Sequence, residues 1–342
     1  MSAIRAAVVG CGDVSVVHLD AIAKRQGTEL VGIAETDPGR RAAAAERRGV
    51  PGFATVEELL DAVRPDVVHV CTPHDQHAPV AIAALRAGAS VLVEKPLADT
   101  IDAARELTAV LSESPGQLAL CFQNRYNPPV RALQELIGSD ALGRIEGAAA
   151  TVLWHRTPEY YRDRPWRGTW SGGGGGLLMN QAIHTLDLLN WLLGPVEEVK
   201  GSASTRALAD VIEVEDTAEM ALRHASGVRS VFFATLGHGR NSDVEIEIVG
   251  ERATATLRGD LTVRYADGRV MTVPERTATT GGQSYWGLSH ELLIDDFHSR
   301  LSAPEPFWIG VDAGLDTLTT IAAVYDASFP QRGVVAEQGE TE

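Results

Sequence analysis

The sequence predicts a doubly wound α/β domain with a parallel sheet, followed by an α+β domain on an open antiparallel or mixed β-sheet. Three observations carry this. At 342 residues the chain is too long for one ordinary core and suits two. Its first third alternates short, continuously apolar runs with helical patterns, as strands buried on both faces require. Beyond Val199 the runs alternate apolar and polar residues and flank turn dipeptides, as strands with one covered face do.

Taken in order, Ile4 to Gly10 is an apolar strand ending in glycine, and the next residues form a turn that feeds a helix. Glu29 to Ala34 is a strand, Pro38 to Arg48 and Val56 to Val63 are helices, and Asp66 to Cys71 is a strand. A helix near Pro79 to Ala87, a strand at Ser90 to Val93, a helix from Ile101 to Leu111 and a strand at Gln117 to Phe122 complete the first domain, 1–123. The second, 124–330, opens with a helix from the Pro128-Pro129 pair to Gly138 and a strand from Ile145 to Trp154. Ser171 to Gly194 follows, five glycines and then a helix. The segments Thr217 to Arg223, Val228 to Leu236, Val244 to Val249, Leu261 to Tyr265 and Val270 to Val273 are strands, and helices near Leu288 to Leu301 and Asp312 to Asp326 finish the fold. The polar tail 331–342 is expected to be mobile.

A formal charge of −16 argues against nucleic acid or an anionic membrane as partner. Cys11, Cys71 and Cys121 lie far apart and suggest neither a disulfide framework nor a metal site, which fits a reducing cytoplasm. The N-terminus enters a strand pattern directly, without a signal-peptide pattern, and there is no uncharged apolar run of membrane-spanning length.

Chemistry concentrates in a few places. Gly10-Cys11-Gly12-Asp13-Val14-Ser15 is a G-x-G-x-x-S form of the dinucleotide fingerprint, placed between the first strand and its helix. Gly10 permits the tight turn, Gly12 lets backbone amides reach a pyrophosphate, and the helix N-terminus favours its charge. Glu35 ends the second strand, where a carboxylate binds a ribose diol and repels a 2′-phosphate, so NAD is expected over NADP; Arg40 and Arg41 temper that preference. Glu94-Lys95-Pro96 ends the strand Ser90–Val93, at the carboxyl edge where open α/β sheets bind ligands. In Cys71-Thr72-Pro73-His74-Asp75-Gln76-His77 the proline and polar residues open a helix beside the cofactor; two histidines without a third ligand do not define a metal site, and none is expected.

In the glycine-rich stretch a regular helix sets Asn180, His184, Asp187 and Trp191 on one stripe, opposite Leu178, Leu186, Leu189 and Leu193. One face is then core and the other is open to chemistry. Gly172 to Gly176 would let backbone approach a ligand at the helix's positive end. Between Trp154 and Trp170, His155, Arg156, Tyr160, Tyr161 and Arg167 lie among tryptophans, a set suited to a polyol ring, including one with a carboxylate or phosphate; about half of these aromatics belong to the core. His290 is a further candidate for the substrate site.

The Gly10 turn, the Thr72 to His77 segment, Glu94-Lys95-Pro96, Asn124-Arg125-Tyr126-Asn127-Pro128, Trp166-Arg167-Gly168 and the Gly174 to Asp187 stretch together resemble the glucose-fructose oxidoreductase, inositol dehydrogenase and MocA (Gfo/Idh/MocA) family over nearly the whole chain. The resemblance implies a Rossmann first domain, an open-sheet second domain, a nicotinamide in the cleft between domains, and homodimers or homotetramers formed through the sheets. It implies that Lys95 and His184 are catalytic, that cofactor contacts reach Gln123, Trp166 and Arg167, and that Arg125 serves the substrate. Asn180 stands where many relatives have aspartate.

The expected function is NAD-dependent oxidation of a secondary hydroxyl of a sugar, sugar derivative or cyclitol, or the reverse reduction. His184 acts as base, Lys95 stabilises the alkoxide, and Asn180 orients the lysine or the substrate without ionising. Asp187 binds substrate or orients the imidazole. Two other readings stand beside this one: a redox-neutral enzyme using bound NAD transiently for elimination, epimerisation or glycoside cleavage, and a non-catalytic nucleotide sensor.

Overall fold

The computed structural model describes residues 3–275 and 288–333. Their contacts form two compact units. One takes 3–127 and 288–315, the other 128–275 and 316–333. The sequence reading divides the chain at 123/124 and keeps everything after that together. The contacts instead divide it at 127/128 and return 288–315 to the first unit. Most of the expected tail, 334–342, lies outside the described residues.

In the first unit six strands, β1 (Ile4–Val9), β2 (Thr28–Ala34), β3 (Gly52–Phe53), β4 (Val67–Val70), β5 (Ser90–Val93) and β6 (Leu118–Leu120), form one parallel sheet in the order β3-β2-β1-β4-β5-β6. Strands β4, β5 and β6 are buried at every position, as their continuous apolar runs demand. The connecting helices are α1 (Ser15–Lys24), α2 (Pro38–Arg48), α3 (Val56–Val63), α4 (His77–Arg86) and α5 (Ile101–Glu113). Local chemistry sets their ends. Asp37 caps α2 by accepting from the Arg40 N–H at 2.7 Å, with Pro38 in the first turn and Gly49 left-handed at the exit. Thr55 and Thr100 cap α3 and α5 in the same way. Strand order reverses between β1 and β4, so their carboxyl ends, Gly10 and Cys71, flank the switch point.

The second unit holds α6 (Pro128–Gly138), β7 (Ile145–Leu153), α7 (Pro158–Arg162), α8 (Trp170–Gly173), a π-turn at Leu178–Ala182, α9 (Ile183–Leu193) and the strands β8 (Val196–Ser204), β9 (Thr217–His224), β10 (Arg229–Thr235), β11 (Glu245–Gly250), β12 (Ala253–Arg258), β13 (Asp260–Tyr265) and β14 (Val270–Val273). The eight strands form one sheet, β14-β13-β12-β11-β7-β10-β9-β8, antiparallel except for the parallel pair β7 and β10, hence mixed. Burial alternates along β9 to β13, so one face is covered. Helix α10 (Leu288–Ser299) belongs to the first unit, and α11 (Val311–Ser328) runs from one unit into the other. No helix among the described residues is long and apolar enough to cross a membrane.

The amphipathic reading of α9 needs correction. Leu178, Leu186, Leu189 and Leu193 are buried as expected, but so is Asp187, at 1% exposure, and so are Thr185 and Asn190. Within the stretch from Leu177 to Leu193 only Asn180, His184 and Trp191 keep partial exposure. Thr185, Asp187 and Asn190 all lie on the regular helix α9, so polar residue type does not mark an exposed face there, and the π-turn that carries Asn180 departs from a uniform 100° advance.

Candidate active site

In the first unit the fingerprint turn is built around two glycines with different needs. Gly10 has φ +88°, and a Cβ there would lie 2.6 Å from the Cys71 carbonyl oxygen, so only glycine lets β1 and β4 end side by side. Gly12 is different: a Cβ there would meet no protein atom within 4 Å. Packing does not account for that glycine, and the open space fits the close approach of a pyrophosphate. Asp13 and Val14 complete the turn. Val14 supplies no side-chain cap, and the Ser15 hydroxyl turns back to donate to the Gly12 carbonyl at 2.6 Å. These features fit a dinucleotide at the start of α1.

Glu35 follows β2 and is 7% exposed. One oxygen accepts from the Cys11 N–H at 2.9 Å; the other accepts from the Asp37 N–H and the Arg40 guanidinium, both at 2.9 Å. Burial alone would raise its pKa, but the Arg40, Asp37 and Cys11 hydrogen bonds outweigh it and hold the carboxyl below its ordinary value. Burial and the adjacent Glu35 push the Cys11 thiol up to about 11, against the opposing pull of Arg40. Arg41 donates to the Glu35 carbonyl at 2.7 Å, which turns it towards backbone. Replacing Glu35 with serine is expected to narrow the preference for NAD over NADP, because it removes both the diol acceptor and the charge that repels a 2′-phosphate. Titration of both cofactors checks this; tighter NADP binding by the unaltered protein would contradict it.

His77 joins two loops at the carboxyl edge. Its ring bridges the carbonyl oxygens of Pro96 at 2.6 Å and Thr72 at 3.0 Å, and it is 1% exposed. It thereby fixes the segment after Cys71 to the segment holding Glu94 and Lys95. His74 is buried with its ring centroid 5.6 Å from that of His77. Gln123 and Arg125 are also buried, Arg125 lying 5.9 Å from the Phe122 ring and 5.8 Å from the Trp308 ring. His290 is 1% exposed and lies 3.5 Å from the Glu94 carboxylate.

The second unit gathers the aromatic segment around Tyr160. Its hydroxyl accepts from Gln181 at 3.0 Å and Asn180 at 3.3 Å. Arg167 lies 4.5 Å and Arg156 5.2 Å from the Tyr160 ring centroid, and each also covers a tryptophan, Trp166 and Trp154 respectively. Arg156, Tyr160 and Arg167 therefore form one cluster that meets, through Asn180, the turn that leads into His184. His155 is exposed and its ring faces the His238 carbonyl at 3.0 Å. Tyr161 is core, its hydroxyl pKa raised by burial. Trp170 packs edge-on against Tyr325 and Phe329, and Trp191 lies under Arg131, so neither tryptophan belongs to the cluster.

The glycine run has another purpose than the expected ligand approach. A Cβ on Gly175 would collide with the Tyr325 hydroxyl, and one on Gly176 with the Glu215 carbonyl. The fully buried Glu215 carboxylate accepts from the Gly176 and Leu178 N–H groups, both at 2.8 Å, and from the Tyr325 hydroxyl at 2.7 Å. The donors that would make this helix end an anion site are thus already satisfied from within. Glu215 is a residue the sequence reading missed. Its only local signal is an acidic pair, Glu215-Asp216, at the start of a strand.

A turn that admits a pyrophosphate, a carboxylate at the end of β2 and Lys95 at the carboxyl edge of β5 define a dinucleotide-dependent oxidoreductase domain. The family model described as "Oxidoreductase family, NAD-binding Rossmann fold" matches residues 4–122, and that for the GFO/IDH/MocA C-terminal domain matches 130–256. The inositol 2-dehydrogenase of Rubrobacter xylanophilus is 30% identical over 73% of this chain and 70% of its own. The 1,5-anhydro-D-fructose reductase of Ensifer adhaerens is 30% identical over 92% of each. Among solved structures, the WlbA dehydrogenase from Bordetella pertussis, in complex with NADH and UDP-GlcNAcA, is 30% identical with a TM-score of 0.83, covering 97% of both chains. The chain belongs to the Gfo/Idh/MocA family of oxidoreductases, and its cofactor is NAD.

Proposed function

We propose that this protein oxidises a secondary hydroxyl of a sugar, sugar derivative or cyclitol with NAD, or reduces the corresponding keto-sugar. The observation that carries the proposal is the Tyr160 cluster: polar and aromatic groups that suit a polyol ring, bonded through Asn180 and Gln181 to the turn that leads into His184. NAD, when bound, would supply the hydride acceptor. His184 takes the hydroxyl proton, a task suited to an imidazole with an ordinary pKa of about 6.5. Lys95 donates to the same oxygen and stabilises negative charge on it. Asn180, bonded to Tyr160, orients the substrate without ionising. The guanidinium groups of Arg156 and Arg167 favour a sugar that carries a carboxylate or phosphate. Asp187, buried at 1% exposure, binds the substrate or orients the His184 imidazole. The Gly10 to Val14 turn, Glu35, Arg40, the Cys71 to His77 loop, Glu94, Gln123, Trp166 and Arg167 serve the cofactor. Arg125, His155 and His290 are the further residues assigned to the substrate.

The same reading makes it a cytoplasmic homodimer or homotetramer. Val231, 56% exposed on β10, sits on the open side of the eight-stranded sheet and supplies apolar surface for such a contact.

Absorbance in the reduced-nicotinamide band, followed while neutral and acidic sugars and cyclitols are added with NAD, tests the proposal. Accumulating NADH is expected. Product without NADH would show the redox-neutral cycle, and neither signal would leave a nucleotide sensor.

Asn180→Asp is expected to move the acid limb of the rate profile to higher pH. The new carboxylate, four residues before His184, favours the imidazolium, so a higher pH is needed to free the base. Profiles of both proteins with saturating NAD check this; superimposable acid limbs would show that position 180 does not sense the titrating base.

A further inference from the structure

Inside the first unit three histidines from three elements stand in single file. His298 of α10 and His69 of β4 face each other through their Nε2 atoms at 2.8 Å; His69 and His18 of α1 face through their Nδ1 atoms at 2.8 Å; and His18 Nε2 lies 2.9 Å from Glu94 Oε1. Their exposures are 2%, 0% and 0%, and that of Glu94 is 5%. The reaction proposed above uses none of these three histidines.

Donor and acceptor counting restricts this chain severely. A neutral imidazole has one N–H and one lone pair, so each nitrogen-to-nitrogen contact needs a donor on one side and an acceptor on the other. Burial disfavours the Glu94 anion, but the hydrogen bonds from His18 and His290 outweigh it and keep the carboxyl well below its usual range. An ionised Glu94 only accepts, so His18 Nε2 carries a proton. If His18 is neutral, its Nδ1 accepts from His69 Nδ1–H, and His69 Nε2 accepts from His298 Nε2–H. Every N–H then points towards Glu94. If His18 carries both protons, the order beyond it reverses: His18 Nδ1–H donates to His69, His69 Nε2–H donates to His298, and His298 Nδ1 becomes the protonated end.

These two arrangements differ by one proton. A proton arriving at His298 Nδ1 lets His298 pass its Nε2 proton to His69, and His69 pass its Nδ1 proton to His18. No heavy atom need move, and the product is an imidazolium at His18 paired with the Glu94 carboxylate. We propose that His298, His69 and His18 form a buried proton path between the α1/α10 side of this unit and Glu94, the residue preceding Lys95.

The surroundings favour transit over storage in the middle of the file. Burial, with lesser repulsion from Arg25 and His18, pushes His298 down to about 3. Burial and both neighbouring histidines hold His69 well below its ordinary value. Only His18 touches a carboxylate. His298 Nδ1, the outer end, is buried and has no hydrogen-bond partner among the described residues, so no donor occupies its lone pair in the neutral arrangement. Beside it Arg25 bonds Ser299 at 2.9 Å and pairs with Asp295 at 3.0 Å, next to the exposed pair Lys24 and Glu291. At the inner end Glu94 faces His18, His290 and Cys121, whose thiol burial keeps protonated. Proton arrival changes the net charge of the Glu94 corner by one. Where Lys95 acts as proposed above, its ammonium form loses support when that happens, a consequence that rests on that reading.

The test uses the full chain, labelled with ¹⁵N at histidine and followed by NMR through a pH titration without substrate. The expected result is one concerted event in which His18 gains its second proton while His69 and His298 exchange tautomers. Separate titration, a fixed tautomer in any of the three until the protein unfolds, or zinc found on His18, Glu94 and Cys121 of the purified protein overturns the proposal. His69→Gln supplies a second check, since an amide bridges both neighbours but cannot hand on a proton. It is expected to abolish the coupled switch and to remove the matching transition from the kcat profile; an unchanged switch or profile overturns the path. Failure of any sugar to turn over counts against the proposed reaction alone, because the NMR result is read without it.

Discussion

His184→Ala is expected to lower kcat by about a hundredfold or more, with the Kd for NAD nearly unchanged. Removal of a general base typically costs on the order of 10² to 10⁴ in rate. Most of the residues proposed to hold the dinucleotide, the Gly10 turn, Glu35 and the Cys71 to His77 loop, lie in the first unit, whereas His184 belongs to the second. A base lost from turnover alone therefore separates kcat from cofactor affinity. Single-turnover rates and NAD titrations on both proteins make the comparison. Equal losses in the two measurements would make His184 a structural residue.

Glu215→Ala is expected to be the most destabilising single change near the candidate site. It leaves the Gly176 and Leu178 N–H groups and the Tyr325 hydroxyl without their acceptor. Each orphaned buried group costs about 1–3 kcal/mol, so the total is on the order of several kcal/mol. Thermal unfolding should shift down by many degrees, with turnover falling as the start of α9 loosens. The pH dependence has a definite sign. Burial raises the Glu215 carboxyl from 4.5 to about 7, against its three hydrogen bonds, so the folded protein binds that proton more tightly than the unfolded chain. The stability linked to it is present below about 4.5 and is lost as pH rises through about 7. Glu215→Gln, which cannot ionise, should flatten that slope in denaturant titrations between pH 5 and 8, and an unchanged slope would contradict the assignment.

Much of the first unit is legible because its features answer local demands. Gly10 and Gly12 precede a helix, Glu35 ends a strand, and Asp37-Pro38 opens α2; a short window of sequence contains each reason. In the second unit the period of two reveals β9, β10 and β11, and the mixed sheet matches expectation. The parallel pairing of β7 with β10 joins strands far apart in sequence, which periodicity does not encode. Strand β12 alternates as well, and Gly259, at φ +63°, turns it into β13; the sequence reading does not include it.

The candidate site divides along the same line. Tyr160, Arg156, Arg167 and Asn180 were readable as residue types suited to a sugar, and the fold gathers them. The π-turn was not readable, since the residues from Leu178 to Ala182 fit a regular helix equally well and only tertiary packing selects the wider turn. Glu215 and the histidine file were hidden for a stronger reason. His18, His69 and His298 are separated by 51 and 229 positions, and no spacing rule connects a histidine in a strand to others in two distant helices. The glycine run was legible as a place of close approach, but what approaches is Tyr325 and Glu215 rather than a ligand.

The central step of the proposed reaction is hydride transfer from a carbinol carbon of a sugar or cyclitol to NAD. The most direct measurement supplies a turned-over substrate with deuterium on that carbon, adds NAD, and weighs the cofactor by mass spectrometry after one turnover. One deuterium in the reduced cofactor is the expected result. A reduced cofactor without label, or a converted substrate with its label in water, would contradict it.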